Sequence, residues 1–384
     1  MASAIRIIDL TCDQNDQESL LMTIKAVAPS WKYFALRRMT GGVNNTLFKL
    51  TKKESDSDEK ETGEALLIRI YGGSSGTLVD RDWELDCHTI LFEHGLAPRI
   101  IGRFNNGYAY GFVPAKSAHL VTWLSNLSGE ELLDANPVPD VVISIANICK
   151  VAEWHATLPL EYPPRQNMWK ILHKWILALP TSTEEEKMKV AQLCFEGGLM
   201  HSMFCKTYVQ GIPELVFTHC DLLAGNIVIR PKDGEHYSPE AVEQVDFIDF
   251  EYAMAAPAAL DIASHFSEWA GFECDYTLLP SRSLRRRFLA EYTSTYNSLR
   301  DPEKGTIDLD EMCTEVDKFR GVPGYVWGLA ALVQAQVSTS DFDFNSYADL
   351  RLQEYLDYKA EEFGTREKEG KEMPLRERCW AREN

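Results

Sequence analysis

The sequence has no apolar run long enough to cross a bilayer, and its opening residues, MASAIRIIDLTCDQNDQESLL, contain no basic leader followed by an unbroken apolar stretch. Membrane insertion and secretion are therefore not expected, and the expected compartment is cytoplasmic. Its nine cysteines include no CxxC pair and no Cys/His spacing suited to zinc. That excludes a disulfide framework or a zinc module and leaves reduced thiols, most of them small core fillers. Basic side chains are in the minority, 39 Lys and Arg against 58 Asp and Glu, for a formal net charge of −19. Such a chain is a poor binder of nucleic-acid backbones and is compatible with a cationic small molecule, although acidity by itself more often serves solubility. There is no internal repeat.

What is present is enough for a large core: 384 residues, 45% apolar and 11% aromatic, a length that suggests two lobes. The first third reads as β-rich. Residues 31–39 are strand-like and are followed by TGGVNNTLFKL, a polar stretch and ALLIRIYGG. The polar stretch 52–64, KKESDSDEKETGE, has almost no apolar residue and is expected to be a long mobile hairpin connection. Val79, Trp83, Cys87, Ile90 and Leu91 have helical spacing, and Gly95 is a plausible stop, so one helix is expected among the strands. Asn105-Asn106-Gly107 marks a further hairpin. Pro114 suggests a break, giving a β-rich lobe 1–113 and a helical lobe 114–384. In the second lobe, helical patterns cover roughly 139–158, 184–208, 281–299, 324–337 and 347–363, interrupted by strand-like runs at 226–230 and 245–250. The tail 361–384 is dense in charge and is expected to be partly frayed.

The chemistry is concentrated in VFTHCDLLAGNIVIR followed by VDFIDFEYA. In a kinase catalytic loop, His-x-Asp, four residues and Asn supply an Asp to the attacking hydroxyl and an Asn to a metal; here these are His219, Asp221 and Asn226. A second acid on the next strand must hold Mg²⁺ against the phosphates, because a hard octahedral cation prefers carboxylate oxygens and keeps several waters. Asp249 takes this place, with Glu251 two residues on. An isolated HxDxxxxN match arises readily by chance; order and spacing relative to a hairpin and DFE are what point to phosphoryl transfer. In the loop TGGVNNTL, Gly41 and Gly42 lack the Cβ that would keep backbone N–H groups from phosphate, and Asn44, Asn45 and Thr46 add donors. A Gly-Gly pair alone would be no more than a turn. Arg69 in LIRIYG stands where a protein kinase places its phosphate-binding Lys, and Glu84 on the following helix is its expected partner. Without the loop, that pair would be an ordinary salt bridge.

The segments GGVNNTLF, IRIYG, HCDLLAGN, VDFIDFEYA and LDIASHFSEWAG, in this order, resemble the choline/ethanolamine kinase family over about 40–347. The resemblance implies an α+β, bilobal, protein-kinase-like fold with a small β-rich N-lobe and a larger helical C-lobe. It also implies ATP and Mg²⁺ bound between the lobes and a small cationic amino alcohol held in the helical one. Matched residue by residue, Asp221 is the base, Asn226 and Asp249 are metal ligands, and Glu251 is a metal-associated carboxylate. The same resemblance implies that Tyr252, Glu268, Trp327 and Tyr347 surround the amino alcohol, where aromatic faces and a carboxylate can hold a cation. Trp327 on an apolar helix would otherwise read as core.

A quaternary ammonium has no N–H donor and suits an aromatic cage, whereas a primary ammonium has three donors and wants oxygen acceptors. The resembling choline kinases usually carry WGLW and ethanolamine kinases often keep that second Trp, whereas this chain has WGLA, so Ala330 removes one aromatic wall and changes the pocket for either substrate. HFSEWAGFECDYTLLPSR and STSDFDFNSYA are similar to the ethanolamine branch, with a cage aromatic replaced near Glu273. The expectation is ethanolamine kinase. The alternatives are a choline kinase, a catalytically dead kinase-like binding protein and a kinase of aminoglycosides or other small alcohols. Cys220 and Gly111 are further departures, at positions where the family commonly has Asn and an acid. The oligomeric state is open, a homodimer included.

Overall fold

The computed structural model describes residues 5–39, 45–55, 61–72, 76–113, 116–117, 145–161, 164–204, 210, 215–230, 244–300, 303, 305–338 and 341–384. It divides into two compact units, Met1–Pro114 and Ala115–Asn384.

The first unit is a six-stranded sheet with helices. Its elements are β1 (Ile7–Ile8), α1 (Gln17–Val27), β2 (Tyr33–Met39), β3 (Asn45–Lys53), β4 (Glu61–Tyr71), α2 (Arg81–Glu93), β5 (Ile100–Phe104) and β6 (Gly107–Gly111), and the sheet order is β1-β5-β6-β4-β3-β2. Side chains alternate along a strand, and this decides the fate of Arg69. Ile68 and Ile70 point into a core with Leu50, Phe104 and the α1 residues Leu20, Ile24 and Val27. Each fully buried aliphatic side chain there contributes about 1.5–3 kcal/mol. Arg69, between them, is therefore aimed at the other face, toward α2. The sequence had suggested one helix in this unit. α1 is a second, capped by Asp16, whose side chain accepts the N–H of Glu18.

Two details of the first lobe differ from expectation. Lys52 and Lys53 belong to β3, and Glu61–Tyr71 is all strand, so the connection is shorter than 52–64. The physical reason is cross-strand pairing: Lys52 Nζ lies 2.9 Å from Glu64, which lets charged residues occupy a solvated strand face. The predicted helix starts two residues later than its apolar pattern because Asp80 caps it, accepting from Asp82 and Trp83. Gly95, at φ 73, follows its end.

The second unit is mostly helical. In order it contains β7 (Lys116–Ser117), α3 (Ile145–Thr157), α4 (Met168–Leu177), α5 (Glu184–Phe204), β8 (Val216–Thr218), a 3₁₀ turn (Ala224–Asn226), β9 (Ile227–Arg230), β10 (Gln244–Phe247) and β11 (Met254–Ala256). Then come α6 (Ala258–Ser267), α7 (Arg282–Leu299), α8 (Leu309–Phe319), α9 (Val322–Val337), α10 (Phe344–Glu362), α11 (Thr365–Lys368) and α12 (Leu375–Ala381). β9 pairs antiparallel with β10 and β7, and β8 with β11. The loops joining these short strands carry HCDLLAGN and IDFEY. The strand expected over 245–250 ends at Phe247 because Asp249 adopts a left-handed backbone, φ 60. α9 and α10 approach closely: a Cβ on Gly324 would stand 2.6 Å from the carbonyl oxygen of Arg351. Only glycine permits that contact.

The tail is not frayed. Arg376, Glu377 and Trp380 of α12 are 2%, 3% and 3% exposed. Trp380 Nε1 donates to Asp317 at 2.8 Å, and its ring lies under the Arg285 guanidinium. Two of its charges, Arg376 and Glu377, are buried and paired with each other, while most of the others remain exposed. No helix among the described residues is long and apolar enough to cross a membrane, and the described cysteines are free thiols.

Candidate active site

The loop after β8 is shaped by its backbone hydrogen bonds. Asp261, in the first turn of α6 and 1% exposed, accepts the N–H of His219 at 2.9 Å through Oδ2 and that of Cys220 at 2.7 Å through Oδ1. Burial alone would push this carboxyl up. Hydrogen bonding and charge from His155, His219 and the loop N–H hold it below the usual carboxylate range. His155 Nε2 is 3.0 Å from Asp261 Oδ2, and its Nδ1 is 2.9 Å from the Tyr292 hydroxyl. Cys220 is held at φ 63, a region that Asn tolerates better than Cys. This strain is maintained by the two N–H bonds to Asp261.

His219 is a strut rather than a proton carrier. Its Nδ1 accepts the N–H of Asp221 at 3.2 Å, and its Nε2 donates to the Ile248 carbonyl at 3.0 Å. One imidazole thereby ties the catalytic-type loop to the residue before Asp249. Full burial drops its pKa to about 4, so it is neutral at pH 7.

Asn226 ends the 3₁₀ turn. Its Nδ2 donates to the Asp221 carbonyl at 2.8 Å and to Asp221 Oδ2 at 3.2 Å, and its own carbonyl accepts the N–H of Ile248 at 2.9 Å. The Asp221 carboxyl is pushed well above its ordinary range, first by burial and then by the charges of Asp249, Glu268 and Glu251, with Asn226 opposing. Asp249, Glu268 and Glu251 therefore lie near enough for their charges to act on Asp221. Among the described residues, no three His, Cys, Asp or Glu side chains form a metal cage by themselves. The donor set nevertheless fits Mg²⁺, which takes one or two carboxylates and completes its octahedron with water and phosphate oxygens. Asp249 and Asn226 are the residues that would hold it.

The expected amino-alcohol residues are brought together in part. The rings of Tyr252 and Trp327 meet edge to face, 5.2 Å between centroids, and Trp175 packs on Tyr252 from behind at 6.2 Å. Glu268, at the C-terminal end of α6, is not an isolated carboxylate: Arg351, 1% exposed, donates to its Oε1 at 3.1 Å. The Arg351 guanidinium also lies 5.8 Å from the ring centroid of Tyr347, one helical turn earlier on α10. Glu268 is raised by burial, with Arg351 opposing. Ala330 is buried.

In the first unit, Glu84 on α2 is 1% exposed and is shared by two guanidiniums. Arg69 Nε lies 3.3 Å from Oε1, and Arg81 Nη1 lies 2.7 Å from Oε2. The Tyr108 hydroxyl donates to Oε1 at 3.2 Å, and Arg81 Nη2 donates to Asn45 Oδ1 at 3.0 Å. Arg69, Arg81, Glu84 and Asn45 thus form one cluster, with two guanidiniums on one carboxylate. Thr46 pairs with Ile70 in the β3–β4 ladder. Gly41, Gly42 and Asn44 lie outside the described residues.

Sequence reading missed Asp261, His155, Arg81 and Arg351. Two of them left a signal: Asp261 is a single acid in the apolar run AAPAALDIA, which calls for a buried partner, and Arg351 is four residues after Tyr347 on one helix.

Comparison with known proteins agrees with this architecture. The family model described as choline/ethanolamine kinase matches residues 36–356. The chain is similar to ethanolamine kinase 1 of Mus musculus, 29% identical over 369 residues covering 92% of this chain and 93% of the mouse protein. It is also similar to a probable ethanolamine kinase of Nematostella vectensis, 32% identical over 329 residues covering 82% and 85%. Among solved structures, Plasmodium vivax ethanolamine kinase superposes with a TM-score of 0.64 at 21% identity over 88% of each chain. The gentamicin complex of an aminoglycoside phosphotransferase superposes at 0.52 with 12% identity, covering 89% of this chain and 96% of that one. The fold is thus the protein-kinase-like one, and the chain belongs to the choline/ethanolamine kinase family.

Proposed function

We propose that the protein transfers the γ-phosphate of ATP to the hydroxyl of ethanolamine, giving phosphoethanolamine and ADP. The observation that carries phosphoryl transfer is the hydrogen-bonded unit of Asp221, Asn226 and the Ile248–Asp249 segment, tied together by His219. Asp221 is the acceptor for the substrate hydroxyl: the oxygen attacks phosphorus in line, the bond to the β-phosphate oxygen breaks, and the proton passes to the carboxylate. Mg²⁺, when bound at Asn226 and Asp249, supplies neutralisation of phosphate charge. Asn226 also fixes the Asp221 carboxylate through Oδ2, so the base is oriented before substrate arrives. Arg69, turned by Glu84, is the cation offered to phosphate oxygens.

Ethanolamine is supported over choline by three considerations. The relatives described above carry the name ethanolamine kinase. The WGLA run has one aromatic fewer than a full cage. The Glu268 carboxylate matches a primary ammonium that has three N–H donors. The test is kcat/KM for ethanolamine and for choline, followed by ADP release. Ethanolamine is expected to win clearly. A choline preference overturns the substrate, and ADP release that does not respond to any amino alcohol overturns the reaction. Including an aminoglycoside in the panel excludes the remaining kinase reading.

A further inference from the structure

The family match ends at residue 356, yet the segment beyond it contributes some of the most deeply buried charges in the unit, Arg376 and Glu377 at 2% and 3% exposure. Burying a guanidinium is costly unless it is paired. One of the pairs made by Arg376 runs toward the amino-alcohol residues. Its Nε is 3.7 Å from Glu354 Oε2, and that same oxygen is 3.3 Å from Nε of Arg351. Arg351 in turn donates to Glu268. On its other side Arg376 Nη1 is 3.0 Å from Glu377, which Arg320 holds at 2.8 Å. Arg320 reaches Glu362 at 3.3 Å. The result is a strictly alternating string, Glu268, Arg351, Glu354, Arg376, Glu377, Arg320, Glu362, with one carboxylate in excess.

We infer that Arg376 is a positioning residue for the amino alcohol: by holding Glu354 it keeps Arg351 shared with Glu268, and so fixes the carboxylate that meets the substrate ammonium. The inference rests on the proposed role of Glu268. Arg351 stands between two buried acids, Glu268 and Glu354, each able to claim it. Arg376 satisfies Glu354 from the far side, which leaves Arg351 available to Glu268. Without Arg376, Glu354 is the less satisfied acid, Arg351 turns to it, and Glu268 loses its orienting donor. The excess carboxylate of the string is the charge a bound ammonium balances. Arg376 is fixed independently, through Nη2 to the Arg320 carbonyl at 2.5 Å and to Ser267 Oγ at 3.3 Å, next in sequence to Glu268. A residue outside the matched segment thus brackets Glu268 both through the ion-pair string and through its neighbouring side chain.

The experiment is steady-state kinetics of the full chain with ATP and ethanolamine, alongside thermal unfolding. Arg376→Gln is expected to raise KM for ethanolamine roughly tenfold, the size of one charge-assisted hydrogen bond lost, with KM for ATP unchanged. Adding Glu354→Gln to that variant removes the competing acid, and is expected to restore KM for ethanolamine even though the protein has lost a second buried charge. A purely structural role predicts the opposite, with the double variant worse than the single and both KM values rising together. That result, or an unchanged KM for ethanolamine in Arg376→Gln, overturns the inference. If Arg376→Gln does not accumulate as folded protein, Arg376→Lys carries the same test, keeping the charge without the planar fork and giving a smaller rise of the same selectivity. Absence of ethanolamine-dependent ADP release in the unaltered protein would instead strike the proposed function itself, and this inference with it.

Discussion

Asp261→Asn isolates how the catalytic-type loop is held. The carboxylate accepts N–H bonds from His219 and Cys220 and pairs with His155 at 3.0 Å, in a site where both side chains are 1% exposed. An amide has one acceptor oxygen, so at least one loop N–H meets an NH₂ group and His155 loses a charged partner. Leaving a buried hydrogen-bonding group without its partner costs about 1–3 kcal/mol, and part of that cost can be relieved only by moving residues 219–221. The same movement displaces Asp221. Two readouts follow: a lower unfolding midpoint, and a kcat reduced by about tenfold or more, since about 1.4 kcal/mol of lost transition-state stabilisation is already tenfold. Differential scanning calorimetry and ADP-release kinetics on the same preparation check both. A variant with unchanged kcat and a lowered midpoint would show that Asp261 supports packing without positioning the base. If neither changed, the account of the loop would be refuted.

Three further outcomes are expected. Asp221→Asn keeps the shape and the bond from Asn226 but cannot accept the proton, so kcat falls by about a hundredfold or more with substrate binding retained; single-turnover assays and titration of ethanolamine check this. His88 and His219 are buried with pKa values lowered to about 4. The unfolded chain binds protons to them first as pH falls below the ordinary histidine value, so stability is full above about pH 6.5 and declines toward pH 4, by on the order of 3 kcal/mol per histidine; urea midpoints at stepped pH measure it, and a flat profile would contradict the burial. Gly107→Ala brings a Cβ to 2.1 Å from the Arg69 carbonyl oxygen and 2.6 Å from the Phe104 ring, so β6 must shift against β4 at a cost of about 1–3 kcal/mol, read as a lowered unfolding midpoint.

The sequence displayed the parts of the site that are local in the chain. His219, Asp221 and Asn226 lie within one loop, and the hydrogen bonds among Asp221, Asn226 and His219 span at most five residues. The β-rich first lobe and the long helices were legible from periodicity. What sequence reading missed is long-range or paired in the interior. Asp261 has meaning only when the fold carries it to a loop 41 residues away. Arg376 and Glu377 look like solvated tail charges until their partners at 320 and 354 are adjacent. Helix α1 was masked differently: its core face includes Thr23, fully buried with its hydroxyl turned back to the Ser19 carbonyl, so the apolar stripe reads as thinner than it is.

The left-handed backbone of Asp249 bears on how its role can be tested at all. At φ 60, aspartate, asparagine and glycine are tolerated, whereas alanine places a Cβ against the neighbouring carbonyl without a polar side chain to compensate. An alanine there would remove a metal-type ligand and distort the turn beside Ile248, whose carbonyl anchors His219. Its inactivity would therefore say little about the carboxylate. Asparagine is the informative control, because it keeps the turn and changes only the charge.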